Sequence, residues 1–488
     1  MSYQRRFVPI AAIAAIAAIA AIALVGSLFA LGGGYFDDAW HTERGRDSFF
    51  IAPHIAIYGG ISLVGAALSL WALSALRARG LAALREQPAL CLALAALVLT
   101  LASAPVDNAW HAAFGRDAVI WSPPHVLGIV GTGGLAAAVM VILVGQTGLL
   151  RHGAVVAAAG VLAAFAFLVV EYETDVPQFE PVWYLPVLAA ASALALGLAR
   201  LVVGGAWIAT RVAAVHLAFV ALISAGLAAA GFDLPKLPLL ILPAAAWDLL
   251  TARRAALLTQ AMGYVLVLFA AYALTLDLTE DTVRVDAADL LIGLPLAIAG
   301  TIGVMTATAR SGRLRPPRGT VPAVAVLSVL LLPSGALAHD PGQGPSAGSV
   351  GLKVSGVQRQ VDVVVRVPPP CSRWDPVGLV ARRGGRVEAG SLRGDSCRFA
   401  GRLSLPSHER WFVYAQLRRN QRAVESWLPV KPDGRFALTD PHRFAYYSDR
   451  KPATAVKWIV GALIYALALA FLVAVVMLGR GAARARAA

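Results

Sequence analysis

Two stretches of the chain set one carboxylate and two imidazoles at matched intervals. The first contains Asp37, His41 and His54, and the second contains Asp107, His111 and His125. Aligned on the Asp, segments 37–47 and 107–117 agree at seven of eleven positions, including Trp40 with Trp110 and Arg46-Asp47 with Arg116-Asp117. Each then runs on to a Pro-His pair, Pro53-His54 and Pro124-His125. An Asp and a His four apart share one helix face, so carboxylate and imidazole converge, while the second His enters from the first turn of the following helix. One carboxylate and two imidazoles suit Cu(II), Zn, Fe(II) or Ni, not Mg or Ca. Each copy is therefore expected to hold one metal ion, with Arg46, Asp47, Arg116 and Asp117 orienting the ligands. The competing reading makes the tryptophans and histidines an interfacial belt and the Arg-Asp pairs surface ion pairs. A belt imposes no fixed spacing, yet four of the nine histidines fall at matched positions.

The scaffold for these groups is a membrane bundle. Across 488 residues, 58% are hydrophobic, 14% are charged and the mean hydropathy is +0.69, which excludes an ordinary soluble protein. Apolar runs of the length needed to cross a bilayer predict twelve spans, near 8–31, 50–75, 88–105, 125–149, 153–171, 182–203, 207–231, 237–250, 255–276, 286–308, 320–337 and 456–479. The run at 237–250 is short and contains Pro243, the pattern of a re-entrant segment. The net charge of +14 invites a nucleic-acid reading until the short-loop arginines are located. Arg5, Arg6, Arg77, Arg79, Arg85, Arg151, Arg253, Arg254, Arg310, Arg313, Arg315, Arg318, Arg480, Arg484 and Arg486 all fall on one side of a twelve-span topology. That side is the cytoplasm by the positive-inside rule, placing both termini inside and both motifs outside in a cell membrane. Acidic loops, including Glu171, Glu173, Asp175 and Glu180, fall on the outer side as solvated segments.

Residues 339–455 differ in composition. Alternating runs such as Val361–Val367 and Trp411–Leu417, separated by Pro, Gly and Asp, predict antiparallel strands and a β-sandwich outside the cytoplasm, inserted before the last helix. Cys371 and Cys397 lie there, where an oxidising compartment permits a disulfide, while Cys91 falls within a span and is expected to be buried. The chain thus divides into 1–150 with the duplicated motif, further spans over 151–338, the β domain at 339–455, and an anchor with a basic tail at 456–488. His216 and Asp248 are ionisable residues at membrane depth, each a candidate for function or for an interhelical hydrogen bond. The chain has no Walker A loop, nucleophile elbow or Cys-x2-Cys pair.

At the first motif the sequence resembles the C subunit of the copper membrane monooxygenases, the particulate methane and ammonia monooxygenase family. That subunit carries an Asp-x3-His-x12-His copper motif in a Trp-His and Arg-Asp context, and Asp37, Trp40, His41, Arg46, Asp47 and His54 match it in order and spacing. Its second set, Asn-x3-His-x13-His, is matched by Asp107, His111 and His125, with Asp in place of Asn. The resemblance covers residues 30–130. It implies copper at one or both sites, ahead of zinc or iron, and oxidation of a small apolar substrate by dioxygen. A weaker resemblance concerns His339, which follows a signal-peptide-like arrangement ending Ala336-Leu337-Ala338. Cleavage there would make His339 a copper-chelating amino terminus, as in the B subunit's cupredoxin-like domain. The B subunit's His-x-His pair is missing, and His408 and His442 are the remaining histidines of the domain. The alternative role is copper acquisition, transfer or transport without turnover. The expected partners are the lipid bilayer, the metal ion and other membrane subunits or a second copy, and no nucleic acid.

Overall fold

The computed structural model describes residues 10–44, 50–114, 120–177, 179–279, 283–309, 343–384, 386–448 and 455–487. The helices are α1 (Ile10–Glu43), α2 (Ala52–Arg79), α3 (Leu81–Arg85), α4 (Pro88–Phe114), α5 (Pro123–Val144), α6 (Leu149–Ala166), α7 (Val170–Glu173), α8 (Tyr184–Val202), α9 (Ile208–Ala229), α10 (Ile241–Ala252), α11 (Leu257–Leu278), α12 (Ala287–Thr308) and α13 (Ala455–Ala487). Among the described residues nine helical stretches are long and apolar enough to cross a membrane, beginning at Ala52, Pro88, Pro123, Leu150, Pro181, Ile208, Leu257, Ala287 and Ala455. The predicted span at 320–337 lies outside the described residues.

Helix starts follow local rules. Pro53 and the Pro123-Pro124 pair sit in first turns, where a missing N–H costs nothing, and Gly80 ends α2 in a positive-φ conformation. Helices α5, α6 and α8 form the interior, whereas α2, α9, α11, α12 and α13 turn leucines such as Leu70, Leu222, Leu291 and Leu463 outward, as lipid-facing helices do. Cys91 belongs to that outward set: it is exposed, correcting the expectation of burial, because Leu90, Ala93 and Leu97 form the inward face of α4. Helix α10 has 12 residues, roughly 18 Å at 1.5 Å per residue, and is reached through an extended stretch at 232–239. It is too short to span a bilayer, in keeping with the re-entrant pattern of its sequence.

The β domain comprises β1 (Gln343–Val357), β2 (Gln360–Arg366), β3 (Trp374–Arg383), β4 (Arg386–Asp395), β5 (Arg398–Ser404), β6 (Trp411–Arg419), β7 (Arg422–Val430) and β8 (Arg435–Ser448). All its pairings are antiparallel, in the closed order β1-β2-β5-β4-β3-β6-β7-β8. The expected sandwich is therefore one closed barrel. The cause is β1, a 15-residue strand whose register shifts at Ser346, Gly348 and Val350 bend it enough to pair with both β2 and β8, leaving no open edge. Val363, Leu379, Phe399, Trp411 and Val413 fill the interior, and the disulfide Cys371–Cys397 ties the β2–β3 connection to the β4–β5 turn. The barrel carries seventeen Lys/Arg against eight Asp/Glu, so the +14 charge belongs to this domain as well as to the short loops.

The barrel docks on the end of the bundle where α1 finishes and α2 begins. Arg383 donates through Nη2 to Asp175 Oδ1 at 2.7 Å and through Nη1 to the Asp175 carbonyl at 3.1 Å, while the Arg410 N–H donates to Asp175 Oδ2 at 3.1 Å. Arg410 also pairs with Asp233, and Arg443 Nη1 donates to the Glu43 carbonyl at 2.6 Å. Glu171, Glu173 and Asp175 are buried, correcting their assignment to a solvated loop. Replacing Arg383 with Met should leave the Asp175 carboxylate buried without its cation, at a cost of about 3–5 kcal/mol. Limited proteolysis and thermal melting should show the barrel released from the helices; an unchanged digestion pattern and melting temperature would contradict this docking.

Candidate metal centre

The first ligand set forms where α1 meets α2. Small residues allow the two helices to approach: a Cβ on Gly26 would lie 2.7 Å from the Gly60 carbonyl oxygen, and one on Gly33 would lie 2.8 Å from the Ile57 backbone nitrogen. Asp37 and His41, one turn apart at the end of α1, thereby face His54 in the first turn of α2. Asp37 Oδ1 is 3.3 Å from His41 Nε2 and 3.1 Å from His54 Nε2, with the imidazole centroids 5.9 Å apart. One ligand atom from each residue lies within 4.8 Å of the other two. Asp37 Oδ1 is buried, accepts no aligned hydrogen bond, and lies against both imidazole nitrogens. Ligand atoms held about 2.0–2.2 Å from a tetrahedral metal lie roughly 3.3–3.6 Å apart, close to the two Asp37–imidazole distances of 3.3 and 3.1 Å.

The second set is arranged in the same way on α4 and α5. His125, behind the two prolines that start α5, brings Nε2 to 3.3 Å from Asp107 Oδ1. His111 occupies α4 one turn beyond Asp107, but its side chain lies outside the described residues. So do Arg46, Asp47, Arg116, Asp117 and His339. His408 Nδ1 is 2.8 Å from the Pro432 carbonyl and His442 is exposed. Among the described residues, no other three His, Cys, Asp or Glu side chains bring ligand atoms as close as the first set.

Both sets open into one cavity of about 290 Å³. Leu31, Ile57, Ile61 and Ile129 contribute apolar walls, Asp38 and Glu171 add carboxylates, and Phe412, Tyr414 and Trp427 of the barrel complete the lining. Glu171 Oε1 accepts from the Ile120 N–H at 2.9 Å, and Trp121 Nε1 donates to the Leu168 carbonyl at 2.6 Å, fixing the approach to α5 and hence to His125. Helix α1 is 34 residues long, about 51 Å, so its acidic end projects beyond the apolar span. Burial pushes the Asp38 carboxyl up to about 6, and Asp37 beside it adds to the rise. Burial opposes ionisation of Asp37 as well, but His41 and His54 outweigh it and hold that carboxylate well below the usual range.

Asp38, Glu171 and the three barrel aromatics were missed by motif reading. A signal existed in β6: Trp411, Val413, Ala415 and Leu417 point into the barrel, leaving aromatic Phe412 and Tyr414 on its outer face, where a strand open to water carries polar residues. Trp110 is buried, and Trp40 stacks with Phe232 beneath the Arg44 guanidinium. Comparison with protein-family models, curated proteins and solved structures gives no match.

The barrel should shield the ligands from water. His54 is only 7% exposed, and a Trp427→Ala/Tyr414→Ala double variant should raise its rate of modification by diethylpyrocarbonate several-fold. Equal rates in the parent and the double variant would show that the barrel does not cover the site.

Proposed function

We propose that this chain is a copper-binding membrane protein related to the copper membrane monooxygenases, with one ion held by Asp37, His41 and His54 and a second by Asp107, His111 and His125. The observation that carries the reading is the convergence of Asp37 Oδ1, His41 Nε2 and His54 Nε2 at metal-ligand spacing. A nitrogen-rich, sulfur-free donor set suits Cu(II) ahead of harder ions, and the resemblance of the motif to that of the copper membrane monooxygenases favours copper among the borderline metals. The arginine distribution supports a position for both sites and the barrel on the outer side of a cell membrane. When bound, copper supplies the redox chemistry that activates dioxygen.

The protein's own groups have defined tasks in this reading. Asp37 neutralises part of the ion's charge and orients both imidazoles. The apolar walls formed by Leu31, Ile57, Ile61 and Ile129 accept a small apolar substrate beside the ligands, and the barrel aromatics exclude bulk water. Asp107, where the resembled family has Asn, gives the second set an additional negative charge and favours a more highly charged ion there. The shared apolar cavity favours turnover over simple carriage, because a carrier needs an exit for its ion and no chamber for an organic molecule.

Purified protein loaded with copper should hold one to two ions per chain, and the His41→Ala/His54→Ala double variant should lose one. Loss of a ligand should weaken binding by more than the roughly 10–100-fold that follows loss of a mere orienting partner. The copper-loaded protein should consume dioxygen only when a reductant is supplied. A metal-free protein after copper loading would overturn the proposal, while reversible copper exchange without oxygen uptake would make the chain a carrier.

A further inference from the structure

A second cavity lies away from the ligand sets and is independent of the copper reading. It measures about 250 Å³ and is enclosed by α9, the segment Pro235–Leu240 and the end of α11. His216 lines it and is only 2% exposed, yet its Nε2 has no hydrogen-bond partner among the described residues. His216 is the ninth residue of the 22-residue α9, about 12 Å from the start of the helix and about 20 Å from its end, which is near mid-membrane. Most of the remaining lining is apolar, including Val220, Leu237 and Leu240.

Two physical costs meet at this place. An unpartnered imidazole nitrogen in an apolar interior forfeits its hydrogen bond, and irregular backbone at membrane depth is tolerated only where it is buried in protein or lines a cavity that supplies polar partners, as water does. The stretch 232–239 is irregular; Phe232, Asp233 and Lys236 at its start donate their N–H groups to the Leu227 carbonyl at 2.9 Å, Glu43 Oε1 at 2.6 Å and the Glu173 carbonyl at 2.7 Å, and the part that follows lines the cavity. Both costs are relieved by an occupant with a polar group. The lining defines the chemistry of that group. Thr275 donates its own hydroxyl proton to the Ala271 carbonyl at 2.8 Å, so its oxygen is left only to accept. The imidazole nitrogen donates or accepts according to tautomer. A hydroxyl meets both demands, since it donates once and accepts twice, whereas a ketone cannot donate to Thr275 and a hydrocarbon serves neither group. The lining side chains Leu217 and Leu278 are 42% and 68% exposed and face lipid, so the route in is from the bilayer.

We infer that this cavity is a binding site for a lipid-soluble alcohol, read by His216 and Thr275 and entered from the membrane. The test is photolabelling of the full-length protein in nanodiscs with a diazirine-bearing octanol, mapped by mass spectrometry. Label should concentrate on residues 213–224 and 275–279 and saturate. Excess 1-octanol should displace it, with octane and 2-octanone a few-fold to about tenfold weaker at equal membrane concentration. His216→Leu and the shape-conserving Thr275→Val should each reduce labelling without altering the melting temperature. Unsaturable label spread along α9 and α11, equal displacement by octane, or undiminished labelling in a folded Thr275→Val protein would each overturn the inference. The competition series needs no variant and decides the matter if His216→Leu fails to fold.

Discussion

The carboxylate of Asp175 is the interaction on which the arrangement depends. It is buried, and a buried carboxylate is tolerable only with its charge and lone pairs answered. Arg383 and the Arg410 N–H of the barrel supply that answer. Because the partners belong to a domain more than 200 residues further along, satisfying Asp175 pins the barrel to one end of the helices. The same contact brings Phe412, Tyr414 and Trp427 into the lining of the cavity, which they share with Glu171, whose carboxylate holds the backbone leading to His125. Docking and cavity closure are therefore one event.

The bundle beneath obeys a different constraint. Hydrocarbon gives no hydrogen bonds, so polar groups collect at helix ends or in enclosed sites. The ligand sets use the first solution, at the end of α1 and near the end of α4, opposite helices that start with Pro-His. The buried Asp248 uses the second: Arg200 pairs with it, and Thr210 donates to it from both its backbone nitrogen and its hydroxyl at 2.9 Å. That satisfied network is structural. His216, with an unpartnered nitrogen beside a cavity, is its counterpart without an internal solution.

Local features of this architecture were legible in the sequence, and long-range ones were not. The i, i+4 relation of Asp37 and His41 is a property of any helix, and the short connection to Pro53-His54 leaves His54 little choice of neighbour. The strand alternation of Val361–Val367 likewise survives intact, with Val361, Val363 and Val365 buried. That the two ligand sets share one cavity depends on how the α1–α2 and α4–α5 pairs pack together, which no spacing encodes. Asp175, in the acidic stretch Glu171–Asp175, reads as solvated because its cation, Arg383, lies in another domain. Sandwich and barrel share one alternation pattern, and only the bends in β1 separate them.

The central claim is that Asp37, His41 and His54 bind one copper ion together. Pulsed electron paramagnetic resonance of the Cu(II)-loaded protein, with a sample enriched in ¹⁵N-histidine, reads the ligands directly. With the second set removed in an Asp107→Ala/His111→Ala/His125→Ala protein, the account predicts modulation from two imidazoles at a single sulfur-free centre, reduced to one when His54→Ala is added. Copper signals without histidine nitrogen coupling, or with two couplings persisting in that variant, would contradict it.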